Sequence, residues 1–226
     1  MELSPGIHRI EGVRGANSFL VVADEGAAVI DTGLPGNEHR ILEYLKKVGV
    51  EQGELRYVVL THADIDHSGS AAKLKGLTGA KVAVHEADAP RVAGEKKLKE
   101  VKGAAGLLMG VMGPFMRFTP VKPDLELKDS DKLLDLVVVH TPGHTDGSIC
   151  LYLEKEAIFV GDALRTDSAG KLGLSPGSFT VDMDQAKDSI RKISTLQYTL
   201  LLPGHGEPIT KDAQSAMARF VQAGFA

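Results

Sequence analysis

Apolar and polar positions alternate along this chain in a way that predicts short strands interleaved with amphipathic helices. Apolar-rich runs at 7–13, 18–22 and 27–30 are separated by Gly15-Ala16-Asn17 and Asp24-Glu25-Gly26, residue types that favour turns. Asp31-Thr32-Gly33-Leu34-Pro35-Gly36 breaks the pattern. Ile41, Leu42, Leu45 and Val48 then share one face of a helix predicted over 37–48, with Gly49 as its stop. Val58-Val59-Leu60 reads as a fully apolar strand opening into the polar run 61–70. A helix over 70–77 and a strand over 81–85 follow. This is βαβα alternation in which strand ends deliver polar loops.

The second half has the same grammar. Strands are predicted at 133–140, 148–153, 157–160 and 198–202, a helix at 183–196 with Asp182 as N-cap, and a final helix at 211–223. Both halves run strands first and helix after, without a close repeat. That arrangement suits an α/β chain with two sheets packed face to face and helices outside. Between the halves, 95–102 is charged and helix-prone. The stretch 103–118 is rich in Gly, Met, Leu and Phe, and it reads as a buried helix or helix pair, or as part of an apolar lid over a pocket or a dimer interface spanning about 95–118.

Composition narrows the function classes. The chain has 226 residues, 43% hydrophobic and 25% charged, enough for a substantial core in a single domain. A net charge of −4 gives no reason to expect nucleic acid or an anionic membrane as partner. The stretch 103–116 is interrupted by glycines and Pro114, and falls short of the roughly 20 residues of a membrane span. The opening residues lack the basic and apolar regions of a signal peptide. One cysteine, Cys150, allows no internal disulfide and no multi-cysteine metal site, so a cytoplasmic protein whose metal ligands are His and carboxylate is expected. Two asparagines and five glutamines beside plentiful Lys and Glu fit a heat-adapted protein.

Candidate chemistry concentrates in loops after strands. Thr61-His62-Ala63-Asp64-Ile65-Asp66-His67 offers two imidazoles and two carboxylates within six residues, a ligand set suited to Zn, Fe or Mn. So many donors in one loop cannot readily all face a single ion, and their alternation suggests two. Three later loops match it in character: Thr141-Pro142-Gly143-His144, Gly161-Asp162 and Pro203-Gly204-His205-Gly206. They bring the donors to seven, a sensible number for two ions if one carboxylate bridges. Among the other histidines, His140 is expected in the core, His85 near the same edge, and His8 and His39 on the surface or in a sheet. Cys150 is expected to be a small buried hydrophobe.

Five motifs in order, from Asp31-Thr32-Gly33 through the 61–67 loop, Thr141 to His144 and Gly161-Asp162 to Gly204-His205-Gly206, resemble the metallo-β-lactamase fold superfamily. The resemblance implies an αβ/βα four-layer sandwich with a binuclear metal centre at one edge. It implies that His62, Asp64 and His144 hold one ion, that Asp66, His67 and His205 hold the other, and that Asp162 bridges them. It makes Asp31 the carboxylate that orients a ligating imidazole. The family's common loop is His-x-His-x-Asp-His, and here Asp64 replaces the second histidine, making that site harder and more anionic. Two divalent ions are expected, zinc first, with iron or manganese as alternatives.

The implied chemistry is hydrolysis by a metal-bound hydroxide, with Asp66 orienting it and taking its proton. Many true β-lactamases of this family place cysteine where Asp162 stands. The expected substrate is therefore a small ester, thioester, lactone or phosphodiester, accepted with broad tolerance. The alternative, motivated by Asp64, is a di-iron redox protein or a sulfur dioxygenase; the oxygen- or nitric-oxide-reducing form needs a separate flavoprotein to deliver electrons.

Overall fold

The computed structural model describes residues 1–103 and 118–225. They form two compact units, one of residues 1–98 and 118–127, the other of 99–103 and 128–225. The first unit carries a seven-stranded sheet whose strands lie in chain order. Its strands are β1 (Glu2–Ser4), β2 (Ile7–Arg9), β3 (Phe19–Ala23), β4 (Gly26–Ile30), β5 (Leu55–Val59), β6 (Lys81–His85) and β7 (Leu125–Leu127). β1 to β4 pair antiparallel and β4 to β7 parallel. Parallel pairing needs crossovers, which α1 (Glu38–Lys47), α2 (Ile65–Ser68), α3 (Ala71–Thr78) and α4 (Ala89–Val92) help to supply. Ile41 and Leu45 of α1 and Leu74 of α3 pack with Val29, Val58 and Val82 of the sheet in one buried core.

The parallel arrangement positions chemistry. Asp31 follows β4, His62 lies just beyond β5, and Asp88 follows β6. Ligand groups of open α/β sheets gather outside such carboxyl ends because side-chain-rich loops emerge there.

The second unit holds a five-stranded sheet in the order β14-β11-β10-β9-β8. These are β8 (Lys132–Leu133), β9 (Leu136–His140), β10 (Ile149–Leu153), β11 (Ala157–Gly161) and β14 (Leu200–Pro203). A small hairpin pairs β12 (Arg165–Thr166) with β13 (Leu172–Gly173). Helices α5 (Met183–Ser194) and α6 (Ala213–Gln222) bury Ile190, Ile193, Met217 and Phe220 against Ile158, Val160 and Leu201. Asp182 caps α5 as its sequence suggests, with Oδ1 accepting from the N–H groups of Asp184 and Gln185 at 3.0 Å.

Some expectations change. The run 133–140 is not one strand: Leu134 takes φ 52°, a left-handed turn that folds β8 back onto β9. Residues 95–102 contain no helix. The N–H groups of Glu95 and Lys96 both donate to Pro90 O and close the turn after α4, and Lys102 N–H donates to Ser178 O. The local turn onto Pro90 and the tertiary anchor at Ser178 override helix propensity. His140 is not a core residue. It is half-buried, and its Nε2 bonds the Asp146 carbonyl at 2.9 Å. The lid, helix-pair and interface readings of 103–118 fall almost wholly on 104–117, outside the described residues. Among the described residues no helix is long and apolar enough to cross a membrane.

Candidate functional site

In the first unit the donors come from one loop, and hydrogen bonds fix it from both sides. Asp64 precedes α2, so Asp66 and His67 ride on a single helical turn closed by His67 N–H and Ser68 N–H onto Asp64 O. The carbonyl of His67 accepts from Thr32 N–H at 2.6 Å and from its hydroxyl at 2.9 Å, while Ala16 N–H reaches Asp66 O. Asp88, fully buried, accepts Ala63 N–H on Oδ2 at 2.9 Å and meets Arg91 through Oδ1 at 3.2 Å.

Asp31 sets the hydrogen-bond roles of both imidazoles. Its φ of 56° is a left-handed conformation that few residues other than glycine adopt, so the backbone is held there by its surroundings. Oδ1 accepts Thr61 N–H, and Oδ2 accepts the Thr61 hydroxyl and His67 Nδ1, each at 2.8 Å. With its hydrogen committed to Asp31, the Thr61 oxygen can only accept from His62 Nδ1, 3.0 Å away. Nδ1 of both histidines is therefore the donor, and the neutral ring presents its lone pair at Nε2. This is the tautomer a metal-ligating imidazole needs when its other nitrogen is tied to a partner.

The donor spacing suits an ion. Two ligand atoms of a tetrahedral zinc, each at about 2.0–2.2 Å, stand about 3.3–3.6 Å apart. His62 Nε2 lies 3.4 Å from Asp64 Oδ2, and the His62 and His67 rings are 4.0 Å apart between centroids. Ligand atoms of Asp66 and His67 lie within 4.8 Å of each other.

The second unit gathers its donors from three distant loops. Asp162, after β11, points Oδ2 at His144 Nε2 (3.5 Å) and Oδ1 at His205 Nε2 (3.6 Å). One carboxylate thus faces two imidazoles with separate oxygens, the arrangement of a bridging ligand. His144 sits in a turn held by Gly143 N–H on Thr145 O and Thr145 N–H on Ser148 Oγ. The Gly143 carbonyl accepts Asp182 N–H. Gly143 has φ 134°, and a Cβ there would collide with the backbone of Ala186. Gly206, at φ 93°, lies equally tight against the Thr166 carbonyl, while Thr166 N–H donates to His205 O. The glycine beside each histidine is what lets its loop approach a neighbouring element.

His62, Asp64, Asp66 and His67 thus come together in one unit with Asp31 behind them, and His144, Asp162 and His205 in the other. Both sets are the nitrogen and carboxylate donors that divalent metals accept. His85 is buried and accepts Ala87 N–H on Nδ1, and His39 is exposed. His8 lies buried in β2 beside Tyr44. Burial pushes the Cys150 thiol up to about 12, so it is no nucleophile. Sequence reasoning passed over Asp88, whose Glu-Ala-Asp context gives no signal, and Lys99, whose ammonium meets His144.

Comparison with known proteins identifies the family and the fold. The model of the metallo-beta-lactamase superfamily matches residues 12–205. An uncharacterised protein of Aquifex aeolicus is 32% identical over 88% of this chain and 89% of its own length. The probable metallo-hydrolase YflN of Bacillus subtilis is 26% identical over 92% of this chain and 87% of its own. The solved structure of BJP-1, a subclass B3 metallo-β-lactamase of Bradyrhizobium japonicum, superposes with a TM-score of 0.74 at 21% identity. That match covers 99% of this chain and 89% of the other, and it shows a shared α/β fold.

Proposed function

The chain belongs to the metallo-β-lactamase superfamily, and on that premise we propose that it is a binuclear metal-dependent hydrolase of small esters, thioesters, lactones or phosphodiesters. His62, Asp64 and His144 hold one ion, Asp66, His67 and His205 the second, and Asp162 is shared. The observation that carries the reading is the Asp162 carboxylate, with one oxygen turned to each of two imidazoles. Separate oxygens turned to two imidazoles are what a bridging carboxylate presents.

Two divalent ions in such a centre supply a nucleophile at neutral pH and stabilise the negative charge that develops on the substrate. The chain's own residues do the rest. Asp31 and Thr61 hold His62 and His67 by Nδ1, so that the neutral rings offer the lone pair of Nε2 to an ion. Asp66 orients the attacking water and takes its proton on a carboxylate oxygen. Asp64 adds a negative charge where the family commonly has a neutral imidazole, which favours a harder ion and lowers the net charge of the centre.

The test is metal content and turnover measured together. Protein purified without added metal should carry close to two equivalents of divalent ion and hydrolyse at least one member of a panel of chromogenic esters, lactones and phosphodiesters. Asp66→Ala should fold normally and lose turnover. Unchanged activity in Asp66→Ala, or a visible absorption band from a di-iron centre with no hydrolysis, would overturn the reading.

A further inference from the structure

The first unit's sheet has a cleft of about 530 Å³ at the opposite end from Asp31. Asp31 and His62 follow the carboxyl ends of β4 and β5, whereas the cleft opens beside Gly26 and Ala27, where β4 begins, and Glu54, just before β5. Antiparallel pairing sets His8 between Glu2 and Leu20, and Val22 opposite Ala27, so these side chains share one face of the sheet. Leu20 is buried on that face with Ile41 and Leu45 of α1. The helix ends at Lys47, and Val22, two residues beyond Leu20, is 39% exposed and lines the cleft with Val48 and Val50.

The charges around this cleft have one sign. Glu2, Asp24 and Glu54 line it, and among the described residues no Lys or Arg does. Glu54 Oε2 accepts Glu51 N–H at 2.7 Å, while the carboxylates of Glu2 and Asp24 make no hydrogen bond or ion pair with a described residue. His8 lines the same cleft and is only 9% exposed. Its Nδ1 lies 3.5 Å from the Tyr44 hydroxyl, and its Nε2 bonds no described residue. That nitrogen is not sealed into the core, so it opens on the cleft that the ring lines. Burial holds His8 below its usual value against the pull of Glu2, so the ring is neutral at pH 7 and adds no positive charge.

We propose that this cleft binds an amphipathic organic cation, a protonated amine on a compact apolar or aromatic body. Its volume falls in the range of small-molecule sites. Glu2, Asp24 and Glu54 do not belong to the described groups whose donor atoms lie close enough to share one metal ion. Val22, Ala27 and Val50 offer apolar surface to the body of such a ligand. Its ammonium donates charge-assisted hydrogen bonds to the carboxylates, and the carbonyl end of α1 adds a partial negative charge beside them. An anion of the same shape is repelled by the same groups. A hydroxyl on the ligand serves His8 Nε2 in either tautomer, because it can both donate and accept. The site uses none of the metal donors, so it stands apart from the hydrolytic reading.

Calorimetry on the full chain tests this, with tyramine as the probe. Para-ethylphenol, which lacks the ammonium, and phloretate, which replaces it with a carboxylate, are the controls. The wild-type protein should bind tyramine at least about tenfold more tightly than either control. The double variant Glu2→Gln/Asp24→Asn should weaken tyramine about fivefold or more and leave para-ethylphenol within about twofold. Val22→Lys, at an exposed strand position, sets a tethered ammonium in the cleft and should weaken tyramine about tenfold or more. Metal uptake should stay at the wild-type level in both variants, which shows that the first unit is folded. Absence of tyramine binding to the wild-type protein would overturn the proposal, as would equal affinity for tyramine and para-ethylphenol. A tyramine affinity unchanged in the double variant or in Val22→Lys would place any binding outside this cleft and overturn it as well.

Discussion

The two units reach similar donor sets by opposite routes. In the first, four donors lie within six residues of one loop, and the sequence itself brings them together. The work of the fold there is orientation: Asp31, Thr61 and Asp88 set ring tautomers and loop path. In the second unit the three donors are 18 and 43 residues apart in sequence, and only the parallel pairing of β11 with β14 and the turn after β9 bring them to one place. Asp162 is then the organising residue, since each histidine is measured against it. Crowding along a chain gives proximity and leaves direction open. A sheet edge gives both, at the cost of tight glycine turns.

The strongest way to break this contrast is to remove its centre. Asp162→Ala should reduce metal binding below two equivalents and lower kcat/KM by on the order of 1,000-fold, read by metal analysis and steady-state kinetics. Two tightly held ions in that variant would show that the unit does not depend on a shared carboxylate. Next in size, Asp31→Asn should weaken metal affinity about 10- to 100-fold in chelator competition, because an amide cannot fix both imidazoles as one carboxylate does. Affinity equal to wild type would remove orientation as the task of the first unit.

Stability separates the units further. Gly143→Ala and Gly206→Ala each force a side chain into a left-handed backbone against a neighbouring backbone atom. Each should cost about 2–4 kcal/mol in urea unfolding. The smallest effect lies at Asp129. Burial pushes its carboxyl up, but the Lys192 ammonium and the His140 N–H outweigh it and hold it below the usual carboxylate range. A depressed folded value means that its stabilisation is present above the unfolded pKa of about 3.9 and fades as pH falls through the lower folded value. The side chain is 49% exposed, so Asp129→Asn should cost less than about 1 kcal/mol at pH 7, and the difference should vanish in strong acid. A constant difference across that range would mean the charge is not what matters.

Much of the fold was legible in the order of residues. Lys81–His85 matches its apolar run to the residue, and α1, α3, α5 and α6 fall within about two residues of their amphipathic patterns. The misses share a cause. Leu134 looks like any strand residue, and nothing local reveals that a hairpin must turn there. The lysine-rich stretch 95–102 has helical propensity, but it opens with a turn onto Pro90 and ends on an anchor at Ser178, far away in sequence. His140 follows three valines and reads as core, although its ring turns to the Asp146 carbonyl.

Residue chemistry and spacing were enough to single out candidate donors, because imidazole and carboxylate in glycine-flanked loops after strands have few structural uses. Sequence alone could not decide which nitrogen of His62 and His67 carries a proton, because that depends on a hydroxyl already committed to Asp31. Nor could it decide that Asp162 divides its oxygens between two histidines, or that Lys99 lies against one of them. Those are relations of direction between atoms far apart in the chain, and only the folded backbone sets direction.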